Sequence, residues 1–586
     1  MSHPPKLYHS LLQAFLLFTV FIVMLFLVMM MAPMATQRQH RYRVMAPPPV
    51  KPEVWASSIQ EYDLNPLSIG EPMPQTGDQK LLILLVDFVD QPGLFSGQQW
   101  RDSFFGAAGF AAYFAETSYG QLRYAGDIVG MAGGAPAVNT QSVSYVRLPH
   151  PITFYADALY GFKTGAHQFP RNNAGVVTHA LQALDNAGFD FAPYANPTTQ
   201  QVENLLIIFG GRPHVYTRDP INSLEATGYS LAAAGAPVFV SSGGQTFDNF
   251  TFCPDQEGSN PGALAHIGIC VHEHGHSLGL PDLYDFSYLT SGVGRYDVMS
   301  YGAYGVTSGV RPFHFGAFSK EFLGWVQPTL VQSDTTVIAL GPAETEPAIV
   351  KLVPNGRLDS AEYFLLENRQ PIGFDRDWIS GGYCPGLYIW RVDQNVVDQF
   401  SWSNLVNSPL TPYGPQHPGV MIVEADGGNN LIHPPFTYGE CSDAWPTAQM
   451  WNSTSLPSTR LWNNADSGIS LTVQSAHDNM ITLTIELDNV APVGATPTPV
   501  ATSTPTLGTT PTASATPTSI STPTQTPTPS VTPVAIITAT ESQTETPMAT
   551  PSSETPGPVI VTSTPVTTPT GLSPKPSRLY LPIAHE

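Results

Sequence analysis

The eleven residues from His272 to Asp282, HEHGHSLGLPD, gather three histidines and two acids around one helical turn. On a helix His272 and His276 are four apart, so both imidazoles leave the same face and can close on one metal ion. Glu273 stands beside them as a base. Zn²⁺ takes nitrogen, sulfur or oxygen ligands at about 2.0–2.3 Å, and a catalytic centre uses three protein ligands and keeps one position open. The third ligand must come from beyond the helix. Gly279 tolerates the positive φ that ends a helix, Pro281 cannot continue one, and Asp282 then returns within reach. The set predicts a zinc peptidase centre with His272, His276 and Asp282 as ligands and Glu273 as the group that takes a proton from water and delivers it to the departing amine.

A second segment, Tyr296-Asp297-Val298-Met299-Ser300-Tyr301, follows at a distance that suits a floor for this centre. Met299 offers a soft apolar surface for the imidazoles without ligating, a role compatible with simply being core. Two residues further on, Tyr301 is either a phenol that assists at the developing oxyanion or a buried tyrosine with a satisfied hydroxyl. His274 lies on another face of the helix and is expected to be structural or solvent-facing, and His266 and His314 are read with the same caution. Asp285 either orients a ligand histidine, because metal-bound imidazoles usually donate their other N–H to an oxygen, or is an ordinary helix or loop carboxylate. Asp426, Asn429 and Asn430 offer oxygens of the kind Ca²⁺ takes, although they also spell a turn.

The elements that must position these residues start at Lys80. Leu81 to Phe88 is a short aliphatic run ended by an acid and reads as a buried strand. Trp100 to Tyr119 and Asn173 to Ala187 have helical spacing, and Val202 to Phe209 is a second buried strand closed by Gly210-Gly211. Strand, helix, helix, strand and then the metal helix predict an α/β catalytic domain. After Trp325 the texture changes. Thr336–Leu340, Ala348–Leu352, Glu362–Glu367, Gly386–Val392, Val420–Val423 and Ile481–Leu487 are short β-branched and aromatic runs between turn residues, which predict an all-β, sandwich-like domain.

With 586 residues the chain exceeds one ordinary core. Lys and Arg number 24 against 46 Asp and Glu, a net charge of −22, which argues against a nucleic-acid partner. Leu11 to Met31 is apolar apart from Gln13 and Thr19, long enough for an uncleaved anchor as well as a signal peptide. Arg38, Arg41 and Arg43 after it favour the orientation opposite to export. The Thr/Pro-rich tail and the even number of cysteines favour export. The four cysteines, Cys253, Cys270, Cys384 and Cys441, allow three pairings, of which sequence proximity favours Cys253–Cys270 with Cys384–Cys441. From Val490 to Leu572, repeated Thr-Pro, Ser and Ala carry too little apolar surface to fold and predict a disordered stalk.

These readings divide the chain into a signal peptide or membrane anchor at 1–35, a short propeptide at 36–79 and a zinc metallopeptidase domain at 80–330. A β-sandwich-like domain follows at 331–489, then the stalk at 490–577 and a short tail at 578–586. A surface adhesion or polymer-binding protein with an incidental peptidase fold is the alternative from another class, and a thermolysin-like centre with a distant Glu ligand is the alternative among enzymes. Complete ligands disfavour the first. The spacing of Gly279 and Asp282 disfavours the second.

The stretch from Lys80 to about Leu487 resembles the immune inhibitor A family of secreted bacterial metallopeptidases, which are similar to metzincins. LLVDF with Asp90 following, YFAETSYGQLRYAGDIVG from Tyr113, LPHP from Leu148, the metal helix, LPDLYD from Leu280 and GVGRYDVMSYG from Gly292 come in the family's order. SKEFLGW from Ser319, EYFLLENRQ from Glu362, GLYIWRVD from Gly386 and VEADG from Val423 continue it. The resemblance implies a metzincin-like zinc peptidase that acts on proteins or peptides outside the cell or at its surface, as a monomer, with His272, His276 and Asp282 on zinc, Glu273 as base and Met299 in the turn below. Members often carry an Asp-rich calcium loop where this chain has ANPTTQQ, Ala195 to Gln201, so that site is not expected here. Tyr301 is similar instead to the serralysin and astacin subgroups, in which that phenol assists at the metal.

Overall fold

In a computed structural model of the chain, the described residues are 72–161, 168–285, 287, 289–401, 404–408, 411, 413–414, 417–477 and 479–488. The expected export segment, the expected propeptide up to residue 71, the stalk and the tail lie outside them. Among the described residues no helix is long and apolar enough to cross a membrane. The architecture is mixed α/β with four sheets among the described residues.

The central strand β1 (Gly77–Asp87) pairs in parallel with β2 (Leu122–Ala132), with β5 (Leu205–Phe209) and with the short β4 (Val146–Arg147). β9 (Asn249–Pro254) continues the sheet in parallel, and the outer strands β3 (Ala135–Val138) and β6 (Thr227–Ser230) run antiparallel, giving the order β3-β2-β1-β5-β9-β6. A small pair, β7 (Phe239–Val240) and β8 (Thr246–Phe247), stands apart. Leu81 to Val86 are all fully buried, which explains an unbroken aliphatic run in place of alternation: a parallel sheet covered on both faces has no wet side. Leu81, Ile83 and Leu85 point into one core together with Val271 of the metal helix, while Leu82, Leu84 and Val86 point into another with Val177 and Leu181. Period two sorts one strand between two helical layers.

The first layer holds α1 (Gly97–Phe105) and α2 (Phe110–Thr117). The sequence predicts a single helix from Trp100 to Tyr119. The chain instead stops at Gly106, whose N–H closes on Asp102 O, and restarts after Gly109, because glycine is a poor helix former. α3 (Ile152–Ala156) is short, and α4 (Asn173–Asn186), where helical spacing placed it, covers the opposite face with Asn172 capping its first turn. α5 (His214–Thr217) leads into the segment before β6. α6 (Ile267–Ser277) is the metal helix and packs on β9 and β6. Residues before Lys80 join this fold: Met73 is buried, its N–H meets Ser277 O at 2.8 Å, and Gln75 Nε2 donates to Leu278 O at 2.8 Å.

After α7 (Ala317–Phe322) the chain forms two more sheets. One is β10-β12-β13-β14-β15, from β10 (Thr329–Leu330), β12 (Ile349–Leu352), β13 (Glu362–Arg369), β14 (Gly386–Asp393) and β15 (Val420–Ile422). The other is β11-β18-β17-β16, from β11 (Thr335–Leu340), β16 (Met450–Trp451), β17 (Ile469–His477) and β18 (Met480–Leu487), with α8 (Gln394–Phe400) between β14 and β15 in sequence. Phe364, Leu366, Leu387 and Ile389 of the first sheet share a core with Trp451, Leu471, Leu483 and Ile485 of the second. Alternate residues Tyr363, Leu365, Tyr388 and Trp390 belong to the core that contains the metal helix. The five-stranded sheet therefore serves two cores at once.

The cysteine expectation is half corrected. Cys384 and Cys441 are bonded, whereas Cys253 on β9 and Cys270 on α6 are buried free thiols. Both lie in the apolar layer between sheet and metal helix, where a thiol packs as a small hydrophobe, and burial pushes the Cys253 thiol well above its ordinary range.

Candidate metal centre

The turn after α6 is what brings the third acid back. Gly279 adopts φ +104°, its N–H bonds His276 O at 2.8 Å, and the N–H of Leu280 bonds Gly275 O at 3.0 Å. This double closure is a Schellman end, which requires the left-handed residue that glycine supplies. The reversal carries Leu280 O to within 2.8 Å of His276 Nδ1, and Val298 O lies 2.8 Å from His272 Nδ1. Each imidazole thus gives its Nδ1 hydrogen to a carbonyl and turns Nε2 inward. Ring orientation is set by the backbone, with the two ring planes at 88°.

Asp282, 2% exposed, meets both rings: its Oδ1 lies 3.0 Å from His272 Nε2 and 3.3 Å from His276 Nε2. Ligand atoms of the three residues fall within 4.8 Å of one another. Oδ1 has no hydrogen-bond partner, although it is buried. An oxygen facing two imidazole Nε2 atoms gathers acceptors that either a proton held on a ring or a bound cation must reconcile. The donor set, two imidazoles and a carboxylate, fits a divalent transition-type ion of the Zn²⁺ kind. Burial opposes a charged imidazole at His272, yet the Asp282 carboxylate outweighs it and holds that ring up at about 9. His276 is raised on the same balance, and Asp282 is held well below the usual carboxylate range by the two rings despite its burial.

The other oxygen of Asp282 is clamped from far along the chain. Asn404 donates its Nδ2 to Asp282 Oδ2 and accepts the Asp282 N–H on its Oδ1, so one amide fixes both side chain and backbone of the third acid. Asn404 sits at φ +60°, and Asn407 Nδ2 holds Leu283 O at 2.8 Å. Sequence reasoning missed both. Their only signal is a pair of asparagines in a turn-rich stretch.

Met299 lies fully buried against the helix between the two histidines. A Cβ on Gly275 would stand 2.3 Å from its sulfur, so a glycine at that position is what lets the thioether reach the helix backbone. The Met299 N–H is held at 2.7 Å by Asp297, whose other oxygen takes Gly316 N–H and Ser319 Oγ. Burial raises the Asp297 carboxyl to about 6, against these hydrogen bonds.

Glu273 lines a cleft with His272, Glu225, Ala226, Ser300, Tyr301 and Tyr304. Burial raises its carboxyl, while the neighbouring histidines and the Gly228 N–H of β6 pull it down. Tyr301 opens a 3₁₀ turn, Tyr301–Tyr304, and packs on Tyr438 with ring centroids 4.3 Å apart.

Other candidates lie elsewhere. His274 is fully buried between Tyr124 and Thr251, and burial drops it to about 3; His314 meets Glu116 at 2.8 Å; His266 is the N-cap residue of α6. Asp285 does not orient an imidazole. Its two oxygens accept Ser287, Leu289 and Thr290 N–H groups and close the loop after the metal turn, leaving the second-sphere task to carbonyls. Of the three residues read as calcium candidates, Asn430 is engaged by Thr437 and Glu440, Asn429 sits in a left-handed turn, and Asp426 joins Glu424 and Asp443.

Two outcomes test this geometry. Asn404→Ala should weaken metal affinity by about 10–100-fold while leaving the helix intact by circular dichroism, and an unchanged affinity removes Asn404 from the support of the centre. Because an incoming ion displaces the proton that Asp282 stabilises on His272, metal affinity should rise on the order of tenfold per pH unit between about 6 and 8 and level off near pH 9, where that ring loses its proton. A flat response in competition with a chelator contradicts the pairing.

Residues 249–327 match the family described as immune inhibitor A peptidase M6, catalytic domain. The pre-pro-metalloprotease PrtV of Vibrio cholerae serotype O1 (strain M66-2) is 44% identical over 62 residues, 10% of this chain and 7% of that protein. Immune inhibitor A of Bacillus thuringiensis subsp. alesti is 25% identical over 305 residues, 44% of this chain and 42% of that protein. The matched stretches span less than half the length of either curated relative. The match to the immune inhibitor A peptidase M6 family thus falls on the segment that builds the helix Ile267–Ser277 and the turn beneath it.

Proposed function

We propose that this chain is a zinc-dependent endopeptidase of proteins or peptides, with His272, His276 and Asp282 holding the ion. The convergence of two carbonyl-oriented imidazoles on a buried, donorless carboxylate oxygen carries the reading. Its match to a peptidase family and its likeness to a protein named as a metalloprotease support it. A bound Zn²⁺ supplies Lewis acidity, lowering the pKa of water and polarising a carbonyl.

Glu273 faces the same cleft one residue after His272. Its carboxylate takes the proton from the attacking water and returns it to the leaving amine nitrogen, and partial burial brings its affinity for that proton closer to neutral pH. Tyr301, held against Tyr438 and lining the same cleft, offers its phenol to the oxyanion. β6 is the terminal strand of the seven-stranded sheet and follows directly on Glu225 and Ala226 of the cleft. An extended substrate adding to that edge would lay its backbone across Glu273.

Action outside the cytosol, secreted or at the cell envelope, rests on the apolar segment at 11–31 and on the Cys384–Cys441 disulfide, a bond that persists in oxidising compartments.

Glu273→Ala should retain one equivalent of zinc and lose casein hydrolysis by about 10²–10⁴-fold; full cleavage by that variant sinks the assignment, and a wild-type chain that binds zinc but cleaves nothing favours the adhesion reading. In the same assay Tyr301→Phe should lower kcat by up to about 10²-fold with KM little changed. An unaltered kcat would leave Tyr301 as a packing partner of Tyr438.

A further inference from the structure

We propose that Glu424, Asp426 and Asp443 form a second cation site, specific for Ca²⁺, that fastens the segment 424–443 beneath the Met299 turn. Carboxylate oxygens of the three residues lie within 4.8 Å of one another. Glu424 is 1% exposed and Asp443 fully buried, whereas Asp426 faces solvent.

The hydrogen bonds on these carboxylates leave room for a cation. Asp443 Oδ2 takes the Tyr296 hydroxyl at 2.5 Å and the Glu440 N–H at 2.8 Å, but its Oδ1 is buried without any hydrogen-bond partner. Glu424 accepts Leu431 N–H at 3.0 Å on Oε1 and Asn430 N–H at 2.7 Å on Oε2, so each oxygen keeps a lone pair. Asp426 Oδ1 takes Gly428 N–H at 2.8 Å. These bonds orient the acids without neutralising them, since the donors are neutral backbone and phenol groups.

Three carboxylates with no thiolate or imidazole among them select a hard ion. Ca²⁺ accepts six to eight oxygens in irregular geometry, which suits two buried acids and one at the water boundary, where solvent completes the shell. Mg²⁺ demands a near-ideal octahedron that this asymmetric set does not offer.

What the site holds is the support of the first centre. Tyr296, bonded to Asp443, precedes Asp297 and Met299 by one and three residues. Ser291 N–H bonds Leu431 O at 2.7 Å, Arg295 N–H bonds Tyr438 O at 2.9 Å, and Cys441 carries the disulfide. An ion at 424–443 therefore stiffens the segment on which the methionine turn and Tyr301 rest. The site stands independently of the peptidase reading, because none of its ligands touches the His272–His276–Asp282 set.

The experiment uses the full chain with zinc in place, stripped of Ca²⁺ by EGTA. Added Ca²⁺ up to about 1 mM should raise the thermal midpoint, and Tb³⁺ should bind with luminescence excited through tyrosine. Asp426→Asn, an exposed change that leaves the fold alone, should weaken both responses by at least about tenfold without altering the midpoint in EGTA; Asp443→Asn should abolish them. No Ca²⁺-dependent shift and no Tb³⁺ signal in the wild-type chain overturns the proposal, and so does Asp426→Asn titrating like wild type. Casein cleavage plays no part in either readout, so failure here and failure of the peptidase reading are distinguishable.

Discussion

Asp282 is the residue on which the rest of the centre depends. It stands at the meeting of two imidazole nitrogens with one oxygen and of the Asn404 amide with the other. A buried carboxylate without a cation partner costs several kcal/mol, so the fold must either pair it or give it an ion. The two histidines serve both purposes. Their Nδ1 atoms are committed to Val298 O and Leu280 O, which leaves Nε2 as the only face able to hold a proton or a metal. The way this acid has been buried thus suits the proposed binding of an ion.

Keeping that acid in place draws on residues from most of the described chain. Gly279 reverses the backbone, Gly275 lets Met299 close against the helix, and Asp297 ties the methionine turn to Gly316 and Ser319. Arg369 of β13 then reaches Tyr296 O at 2.8 Å and pairs with Asp375 at 2.5 Å, with Glu344 and Glu367 close by. One guanidinium among three buried acids is a poor source of net stability, since desolvation offsets much of the attraction. Its five fixed donors do fix geometry, however, and the geometry they fix is the start of the Met299 turn.

The local parts of this arrangement were legible in the sequence. Four-residue spacing put His272 and His276 on one face, Gly279 and Pro281 announced the break, and the aliphatic run at Leu81 announced a strand covered on both sides. Non-local parts were not. Asn404 reaches Asp282 across 122 residues, and a single Asn carries no periodicity to betray it. β2 escaped because Gly126 and Asp127 interrupt its apolar pattern, although Gly126 lies so close to Leu81 O that a Cβ would stand 2.1 Å away. The helix expected from Trp100 to Tyr119 broke at Gly106 and Gly109, poor helix formers whose signal the helical apolar spacing on either side masks. Of the two readings open for Asp285, the loop carboxylate holds, because its neighbours in sequence supply enough N–H groups to satisfy it locally.

The five-stranded sheet shows why the C-terminal half matters to the geometry of the candidate centre. Residues of one parity, Phe364, Leu366, Leu387 and Ile389, bind it to the four-stranded sheet, and residues of the other, Leu365, Tyr388 and Trp390, bind it to the core that holds Val271 and Met299. A one-residue slip in the register of β13 on β14, where Leu365 faces Trp390 and Leu366 faces Ile389, would exchange these two sets and spoil both cores. The loops that leave this sheet carry Asn404 after α8 and Tyr438 after β15, so the same register that fills two cores also aims an amide at Asp282 and a phenol ring at Tyr301. Precision at the candidate metal centre is therefore inherited from strand pairing in this sheet.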